Sequence, residues 1–182
     1  MASISRTKAS CLIPVQPEAI IAVLLDLKAR RNWDASLIDV QSVGTHGANL
    51  DEVFYLAVKS PSGLSNRDYV KVRRFKKLPN GSYVVIEKST THPNFPPRKG
   101  FVRGEVLLSG HLLEPVEGNP EATLMTTLSE IDLKGSIPSP VVNFLTTKAP
   151  FSWFDAFIHQ AKDCSGDLVH CYRTAVLRIA MI

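Results

Sequence analysis

The chain has 182 residues, of which 45% are hydrophobic and 21% charged, and its formal net charge is +4. This length suits one domain with a core and an internal cavity, and no apolar run reaches the roughly 18–20 residues that cross a bilayer. The basic residues are not interleaved with aromatic ones, which argues against nucleic acid as a partner. Three cysteines without CxxC spacing argue against a disulfide framework or structural zinc and favour a reducing, cytoplasmic compartment.

The N-terminal region predicts a weak edge strand followed by one helix. Residues 3–14 alternate weakly between polar and apolar side chains. From residue 17 to residue 31 the apolar side chains recur at helical spacing, at Ile20, Val23, Leu24 and Leu27. Pro17 suits the first turn of a helix, and two arginines suit the negative end of its dipole. This helix is expected to pack on a sheet.

Residues 36–132 change to the period of antiparallel strands. Segments rich in Val, Ile, Tyr, Phe and Thr are separated by turn residues, and the clearest are 51–59, 68–77, 82–89, 101–115 and 123–132. Asn80-Gly81 is a strong hairpin signal. Residues 91–97 contain three prolines and predict a long loop.

Helical spacing returns after Pro138 and is interrupted at Pro150. The order is therefore a helix, many antiparallel strands and a long terminal helix. This order predicts an α+β fold in which one helix lies across one strongly curved sheet.

Four short motifs resemble those of the START domain family (steroidogenic acute regulatory protein-related lipid transfer). Residues 31–34 (RNWD) resemble its R-x-W-D, and residues 65–69 (SNRDY) resemble its S-x-R-D-(F/Y). Residues 92–104 are similar to the family's hP…P…fVR loop and strand, and residues 132–138 match its D-x-x-G-x-(I/L)-P entry to the last helix. The motifs occur in the family's order and cover about residues 12–162.

The resemblance implies a helix-grip fold, in which a curved antiparallel sheet wraps around a long C-terminal helix and encloses a hydrophobic tunnel. It also implies that the tunnel holds one sterol, phospholipid or sphingolipid, which the protein carries between membranes or senses. Neither a cofactor nor a metal is expected. We expect residues 1–168 to form the domain. Most of the family's N-terminal segment has no counterpart here, which would fit a truncated chain, a short member of the family or an incomplete gene model. Residues 169–182 form an extension of unknown role.

Arg73 is the first candidate for a head-group contact, because family members carry a buried arginine at this position. Tyr69 and Lys71 share its strand face, and Phe54 and Tyr55 lie on the preceding strand as further ligand-binding candidates. Otherwise this face is solvated and Arg73 is a surface charge. The family's acidic partners have no counterpart where expected, and an unpaired Arg73 beside Lys71 would favour an anionic head group.

The terminal helical region supplies the candidate lid and tunnel residues, which are Val142, Phe144, Leu145, Phe151, Phe154, Phe157 and Ile158. Phe95, with Arg98 and Lys99, is the candidate for transient membrane contact at the tunnel mouth. The loop alternatively packs on its own domain. The positive charge suits either solubility or attraction to anionic membranes. Flanking regions are a possible site for a protein partner.

An enzyme is the competing prediction. The chain has no nucleophile elbow, phosphate-binding glycine loop or HExxH motif. A helix-grip fold can nevertheless bury acid–base groups for cyclase or hydrolase chemistry, and Glu105, His111 and Glu130 are the candidates. The resemblance favours a lipid carrier or sensor without catalysis.

Overall fold

The computed structural model describes residues 4–47 and 51–165, which form eight strands and four helices. In chain order these are β1 (Ile4–Ile13), α1 (Pro17–Leu25), α2 (Leu27–Trp33), β2 (Leu37–His46), β3 (Asp51–Val58), β4 (Asn66–Lys77), β5 (Tyr83–Ser89), β6 (Phe101–Arg103), β7 (Glu105–Val116), β8 (Asn119–Asp132), α3 (Ser139–Thr147) and α4 (Ala149–Ser165). The predicted extension at 169–182 lies outside the described residues.

The strands form one curved sheet in the order β1-β8-β7-β5-β4-β3-β2. Neighbours along this path are antiparallel, and β6 adds a short parallel pairing to the start of β4. The predicted edge strand is confirmed as β1, and the other edge, β2, was not singled out in the sequence. The α+β helix-grip architecture is confirmed, with the C-terminal helices laid across the sheet.

The first helical region is two helices, so the prediction of one helix over 17–31 is wrong. The break lies at Asp26, whose carboxylate accepts hydrogen bonds of 2.9 Å from the backbone N–H groups of Lys28 and Ala29. This side chain caps α2 and satisfies donors that a new helix start leaves free. Arg30 on α2 reaches the interior of the domain.

The predicted strand over 101–115 is also divided, at Gly104. A Cβ atom at this position would lie 2.4 Å from Cε1 of Tyr69, a ring that is 6% exposed. Only glycine lets the backbone pass this close to the ring. The chain therefore leaves β6, passes Tyr69 and enters β7.

The C-terminal region is interrupted, as predicted, between α3 and α4. Pro150 is the second residue of α4, where its missing N–H costs no helical hydrogen bond. Phe157 of α4 is fully buried and stacks on Trp153 with ring centroids 4.9 Å apart. It also meets Trp33 edge-on at 5.6 Å. This aromatic cluster holds α4 against the first helical region.

Candidate ligand cavity

A cavity of about 330 Å³ lies between the inner face of the sheet and the helices. Its wall is built from alternate residues of β1, β4, β5, β7 and β8, because alternate side chains of a strand point to one face. The polar lining residues are Ser5, Thr7, Arg30, Lys71, Glu87, Ser109, His111, Thr127 and Ser129. The apolar ones are Ala9, Leu24, Val85, Ile131, Leu133, Leu145, Pro150, Trp153 and Phe154.

A buried ion-pair network adjoins this cavity, and its members Lys71 and Glu87 form part of the wall. The Nζ atom of Lys71 is 2.5 Å from Oε2 of Glu87, and both side chains are less than one-tenth exposed. Next to them, Arg73 donates from Nε to Oε2 of Glu52 at 3.1 Å, and its Nη1 lies 3.9 Å from Oε1 of Glu87. These pairs form because Glu52 lies opposite Arg73 across β3 and β4, and Glu87 lies opposite Arg73 across β4 and β5.

The guanidinium of Arg73 also joins the sheet to the first helix. Its Nη1 donates to the backbone carbonyl of Leu24 at 2.6 Å, and its Nη2 donates to that of Leu25 at 3.0 Å. These carbonyls lie at the end of α1, where the last turn leaves acceptors unpaired. Arg73 is 3% exposed. Because its two hydrogen bonds join β4 to the end of α1, it stabilises the junction of the sheet with α1.

Charge pairing decides the ionisation of the buried carboxylate at the cavity wall. Burial disfavours the charged form of Glu87, but the charges of Lys71 and Arg73 and the hydrogen bond from Lys71 outweigh it and lower its pKa to about 2. Burial lowers the pKa of Lys71, and the attraction of Glu87 opposes that effect. Glu87 is therefore an anion at neutral pH and compensates the charge of Lys71.

His111 lines the same cavity beside this network. Its Nδ1 atom lies 3.0 Å from the hydroxyl oxygen of Thr127, and its ring stacks on Trp153 of α4 with centroids 6.2 Å apart. Burial lowers its pKa to about 4; Glu87 opposes this shift and Lys71 adds to it. His111 is therefore a neutral imidazole at neutral pH, and it connects the sheet to the covering helix.

These shifts predict that acid weakens the protein in two steps. The pKa of His111 falls from its ordinary 6.5 to about 4, and that of Glu87 falls from 4.5 to about 2. The unfolded chain therefore binds more protons in both windows, so stability falls as pH falls through each. Lowering the pH from 7 to 4.5 should remove about 2–3 kcal/mol through His111 alone.

Urea unfolding of wild type, His111→Asn and His159→Asn at several pH values checks this expectation. His111→Asn should flatten the loss between pH 6.5 and 4.5, whereas the control at His159, whose side chain is 80% exposed, should retain it. Parallel pH curves for all three proteins would contradict the account.

Among the predicted ligand residues, Lys71 lines the cavity. Phe54 and Tyr69 are buried on the same inner face but are not part of the wall, and the Phe54 ring lies beneath the cations of Lys71 and Arg73 at 4.8 and 5.0 Å. The expectation that Arg73 lacks an acidic partner is wrong, because Glu52 pairs with it. The alternative of a solvated surface arginine is also wrong. Ligand contact by these side chains stays a prediction.

Tyr55 lies on the outer face, away from Lys71. It belongs to a cluster with Val53, Ala57 and Val70, and its ring stacks on Phe95 with centroids 5.2 Å apart. Tyr55 follows Phe54 in an extended strand, so the two side chains take opposite faces. The expected position of Tyr55 at the ligand is therefore corrected.

The loop that carries Phe95 packs on this outer face, which corrects its expected position at the tunnel mouth. Arg103 donates to the backbone carbonyls of Phe95 at 3.2 Å and Pro96 at 3.0 Å and pairs with the buried Asp68 at 2.9 Å. The alternative of a loop packed on its own domain is thus what the structure shows. Arg98 and Lys99 are exposed, and their contact with a membrane stays a prediction.

The predicted lid residues occupy different environments along α3 and α4. Leu145 and Phe154 line the cavity, whereas Phe157 is buried in the aromatic cluster. Val142 and Ile158 are half-buried. Phe144 and Phe151 are exposed by 47% and 71%, so they add apolar surface outside the cavity. Opening of this lid remains a prediction.

The three candidate catalytic residues do not converge. Glu105 pairs with Lys134 at 2.8 Å, and Glu130 pairs with Arg6 at 2.6 Å, while only His111 reaches the cavity. Within residues 4–47 and 51–165, no group of three or more His, Cys, Asp or Glu side chains is placed to hold a metal ion. No helix in the described ranges is long and apolar enough to cross a membrane.

Several residues of the site were not predicted from the sequence, above all Glu52, Glu87 and the hydroxyl residues of the wall. The available signal was the polar alternation within otherwise apolar strands, at Thr7, Ser109, Thr127 and Ser129. Alternation gives two faces but does not say which one is the inner face.

A curved sheet closed by C-terminal helices over an internal cavity defines the helix-grip class of ligand-binding domains. Comparison with known proteins then identifies the family, since the START domain family matches residues 3–158. The chain belongs to the START domain family.

Individual relatives agree with this assignment. The chain is 34% identical over 153 residues to START domain-containing protein 10 of Mus musculus, covering 81% of this chain and 50% of that protein. It is 31% identical over 128 residues to the mitochondrial steroidogenic acute regulatory protein of Gallus gallus, covering 69% and 45%. The matches thus span about half of these relatives' lengths. Human StAR-related lipid transfer protein 5 shares the fold, with a TM-score of 0.77 at 21% identity over 86% of this chain and 74% of that one.

Proposed function

We propose that the protein binds one lipid molecule in the cavity and carries it between membranes. The observation that carries this proposal is the two-sided cavity wall, with the Lys71–Glu87 pair and His111 on the sheet side and Trp153 and Phe154 on the helix side. An amphipathic ligand matches such a wall, because its apolar body leaves water against the helices while its polar end meets polar groups. A relative from Mus musculus that is named as a lipid transfer protein supports it.

Carriage requires that the ligand enter and leave. Lipid chains gain about 0.8 kcal/mol per buried CH₂ in either the bilayer or the protein, so the exchange is nearly balanced. The rate is then set by displacement of the helices that cover the cavity. We propose that the protein acts in the cytoplasm and contacts membranes transiently. Exposed Phe144 and Phe151 would supply the apolar surface for this contact on the covering helices. If the protein is instead a lipid sensor, it binds the lipid in the same cavity and exposes a different surface to a protein partner when the lipid is bound.

One observation favours a second function, which is acid–base catalysis. Lys71, Glu87 and His111 converge on the cavity, as an enzyme of the cyclase or hydrolase type would require. Glu87 is held by Lys71 at 2.5 Å, however, and Glu105 and Glu130 pair elsewhere. This pairing supports a binding role over catalysis.

Filling the cavity should strongly lower the rate of lipid transfer. Ser109 lines the cavity, whereas the preceding Leu108 is 43% exposed. Ser109→Phe should therefore lower transfer of a fluorescent sterol between vesicles at least tenfold, because the added ring occupies ligand volume. Leu108→Phe is the matched control and should transfer at the wild-type rate.

Circular dichroism and thermal unfolding of both variants show whether they fold, so that loss of transfer is not loss of structure. A folded Ser109→Phe variant that transfers lipid normally would exclude this cavity as the lipid site. Product formation from a lipid incubated with wild type, at a rate reduced in His111→Asn, would establish the enzyme instead.

A further inference from the structure

We infer that the preferred ligand is an uncharged amphiphile with several hydroxyl groups along one edge; this inference rests on the proposed function and specifies its ligand. The class follows from two features of the wall, namely its hydroxyl-rich side and its lack of uncompensated charge.

The hydroxyl-rich side is part of a continuous polar row across four strands, with hydroxyl groups on three of them and a carboxylate on the fourth. Thr7 of β1 lies opposite Ser129 of β8, Ser129 opposite Ser109 of β7, and Ser109 opposite Glu87 of β5. Ser5 lies two residues from Thr7 on the same face and also lines the cavity. The row therefore presents polar groups along a line instead of at one point.

These hydroxyl groups are available to a ligand. Within the part of the chain that the structure describes, the side chains of Ser5, Thr7, Ser109 and Ser129 make no protein hydrogen bond, although each lines the cavity. A hydroxyl both donates and accepts, so this row can pair with ligand hydroxyls of either orientation. By contrast, Thr127 already contacts Nδ1 of His111 at 3.0 Å.

Charges at the wall are compensated. Each cation near the cavity has an acidic partner: Lys71 pairs with Glu87, Arg73 with Glu52, and Arg30 with Asp34 at 2.9 Å. An anionic ligand would have to displace one of these carboxylates, which leaves a buried charge without a partner. An uncharged ligand leaves the pairs intact. The compensated charges reverse the preference for an anionic head group that an unpaired Arg73 would have given.

The space limits the size of the ligand. About 330 Å³ lies near the lower end of the roughly 300–1,000 Å³ usual for ligand pockets. A fused-ring body or a single acyl chain suits this volume better than two full chains. The helices supply an apolar and aromatic part of the wall, with Trp153 and Phe154. The ligand thus has one hydroxylated edge and one apolar edge.

Binding of matched ligand pairs to the full chain tests this inference by isothermal titration. A cholestane triol is compared with cholesterol, and a monoacylglycerol is compared with the lysophosphatidic acid of the same chain. We expect at least tenfold tighter binding of the triol and of the monoacylglycerol than of their partners. The first pair tests the preference with fused-ring ligands and the second with single-chain ligands. The tighter binder of the triol and the monoacylglycerol then identifies the source of the hydroxyl groups.

Variants link the preference to the row. Ser109→Ala combined with Ser129→Ala should weaken binding of the preferred ligand about tenfold and leave cholesterol binding nearly unchanged. Ser10→Ala is the control, because Ser10 is exposed on the outer face of β1 and bonds Thr126 at 2.9 Å.

The outcomes separate the two proposals. Equal affinities within both pairs, tighter binding of the anionic lipid, or a loss of cholesterol binding as large as the loss for the triol would overturn the inference and leave lipid carriage standing. Absence of binding by all four ligands to folded protein would overturn the inference, whereas lipid carriage would fall only if no lipid from a mixture that also contains sphingolipids and phospholipids bound.

Discussion

Replacing Arg73 with methionine should destabilise the protein by about 3–5 kcal/mol, since removal of one partner of a buried ion pair leaves the other charge uncompensated. Glu52, 4% exposed, would lose its cation, and the carbonyls of Leu24 and Leu25 would lose their donors. Urea unfolding followed by circular dichroism measures the change, and the midpoint should shift while the slope stays constant.

Arg74→Met is the matched control on the adjacent residue. Arg74 also pairs with an acidic residue, Asp51, at 2.7 Å, but its side chain is 56% exposed. Exposed pairs contribute about 0–1 kcal/mol, so this variant should unfold near wild type. Equal losses for the two variants would show that burial of Arg73 does not govern its contribution. Restoration of stability in a double variant with Glu52→Leu would further support the buried pair.

Truncation of Phe157 to alanine is the second variant with a large expected effect. The side chain is fully buried and packs against Trp153 at 4.9 Å and Trp33 at 5.6 Å. Removing a buried aromatic ring costs about 3–5 kcal/mol, because apolar burial is lost and a cavity remains. We also expect amide hydrogens of α4 to exchange faster, since this ring holds the helix to the first helical region.

Phe151→Ala on the same helix is the control. Its side chain is 71% exposed, so truncation should change the free energy of unfolding by less than about 0.5 kcal/mol. Faster exchange throughout the sheet, without a preference for α4, would contradict the anchoring role of Phe157. A small effect of Phe157→Ala together with a large one of Phe151→Ala would reverse the assigned packing of the helix.

The fold was predictable from the sequence because period and motif order agreed. The change from helical spacing to strand alternation located most elements, and turn residues separated them. Helix and strand breaks were less predictable. Asp26 breaks a continuous apolar pattern through a capping interaction, and Gly104 divides a strand because a distant ring occupies the space beside it. Both depend on local geometry that composition does not reveal.

The ion-pair partner of Arg73 was missed for a different reason, which is strand register. The resemblance gave no acidic partner for Arg73 at the expected positions, whereas the sheet places Arg73 opposite Glu52. The register of β3 and β4 is set by the length and geometry of the loop between them. A shift of two residues keeps every side chain on the same face of the sheet but changes the residue opposite Arg73. Charge arguments from single positions therefore failed, although the predicted face of Tyr69, Lys71 and Arg73 was correct.

The position of the Phe95 loop was equally dependent on tertiary contacts. Its prolines excluded regular pairing, as predicted, but its destination is set by Arg103, which bonds two loop carbonyls and the buried Asp68. No sequence pattern states which face of the sheet such a loop covers. The residue pair that determines it lies 35 positions apart.

Native mass spectrometry of the full chain after exposure to mixed vesicles tests the central claim most directly. We expect one bound lipid per chain, drawn from the uncharged hydroxylated components and absent from folded Ser109→Phe. Wild-type protein that remains without lipid across a mixture of sterols, acylglycerols, sphingolipids and phospholipids, or that retains lipid equally in Ser109→Phe, would contradict it.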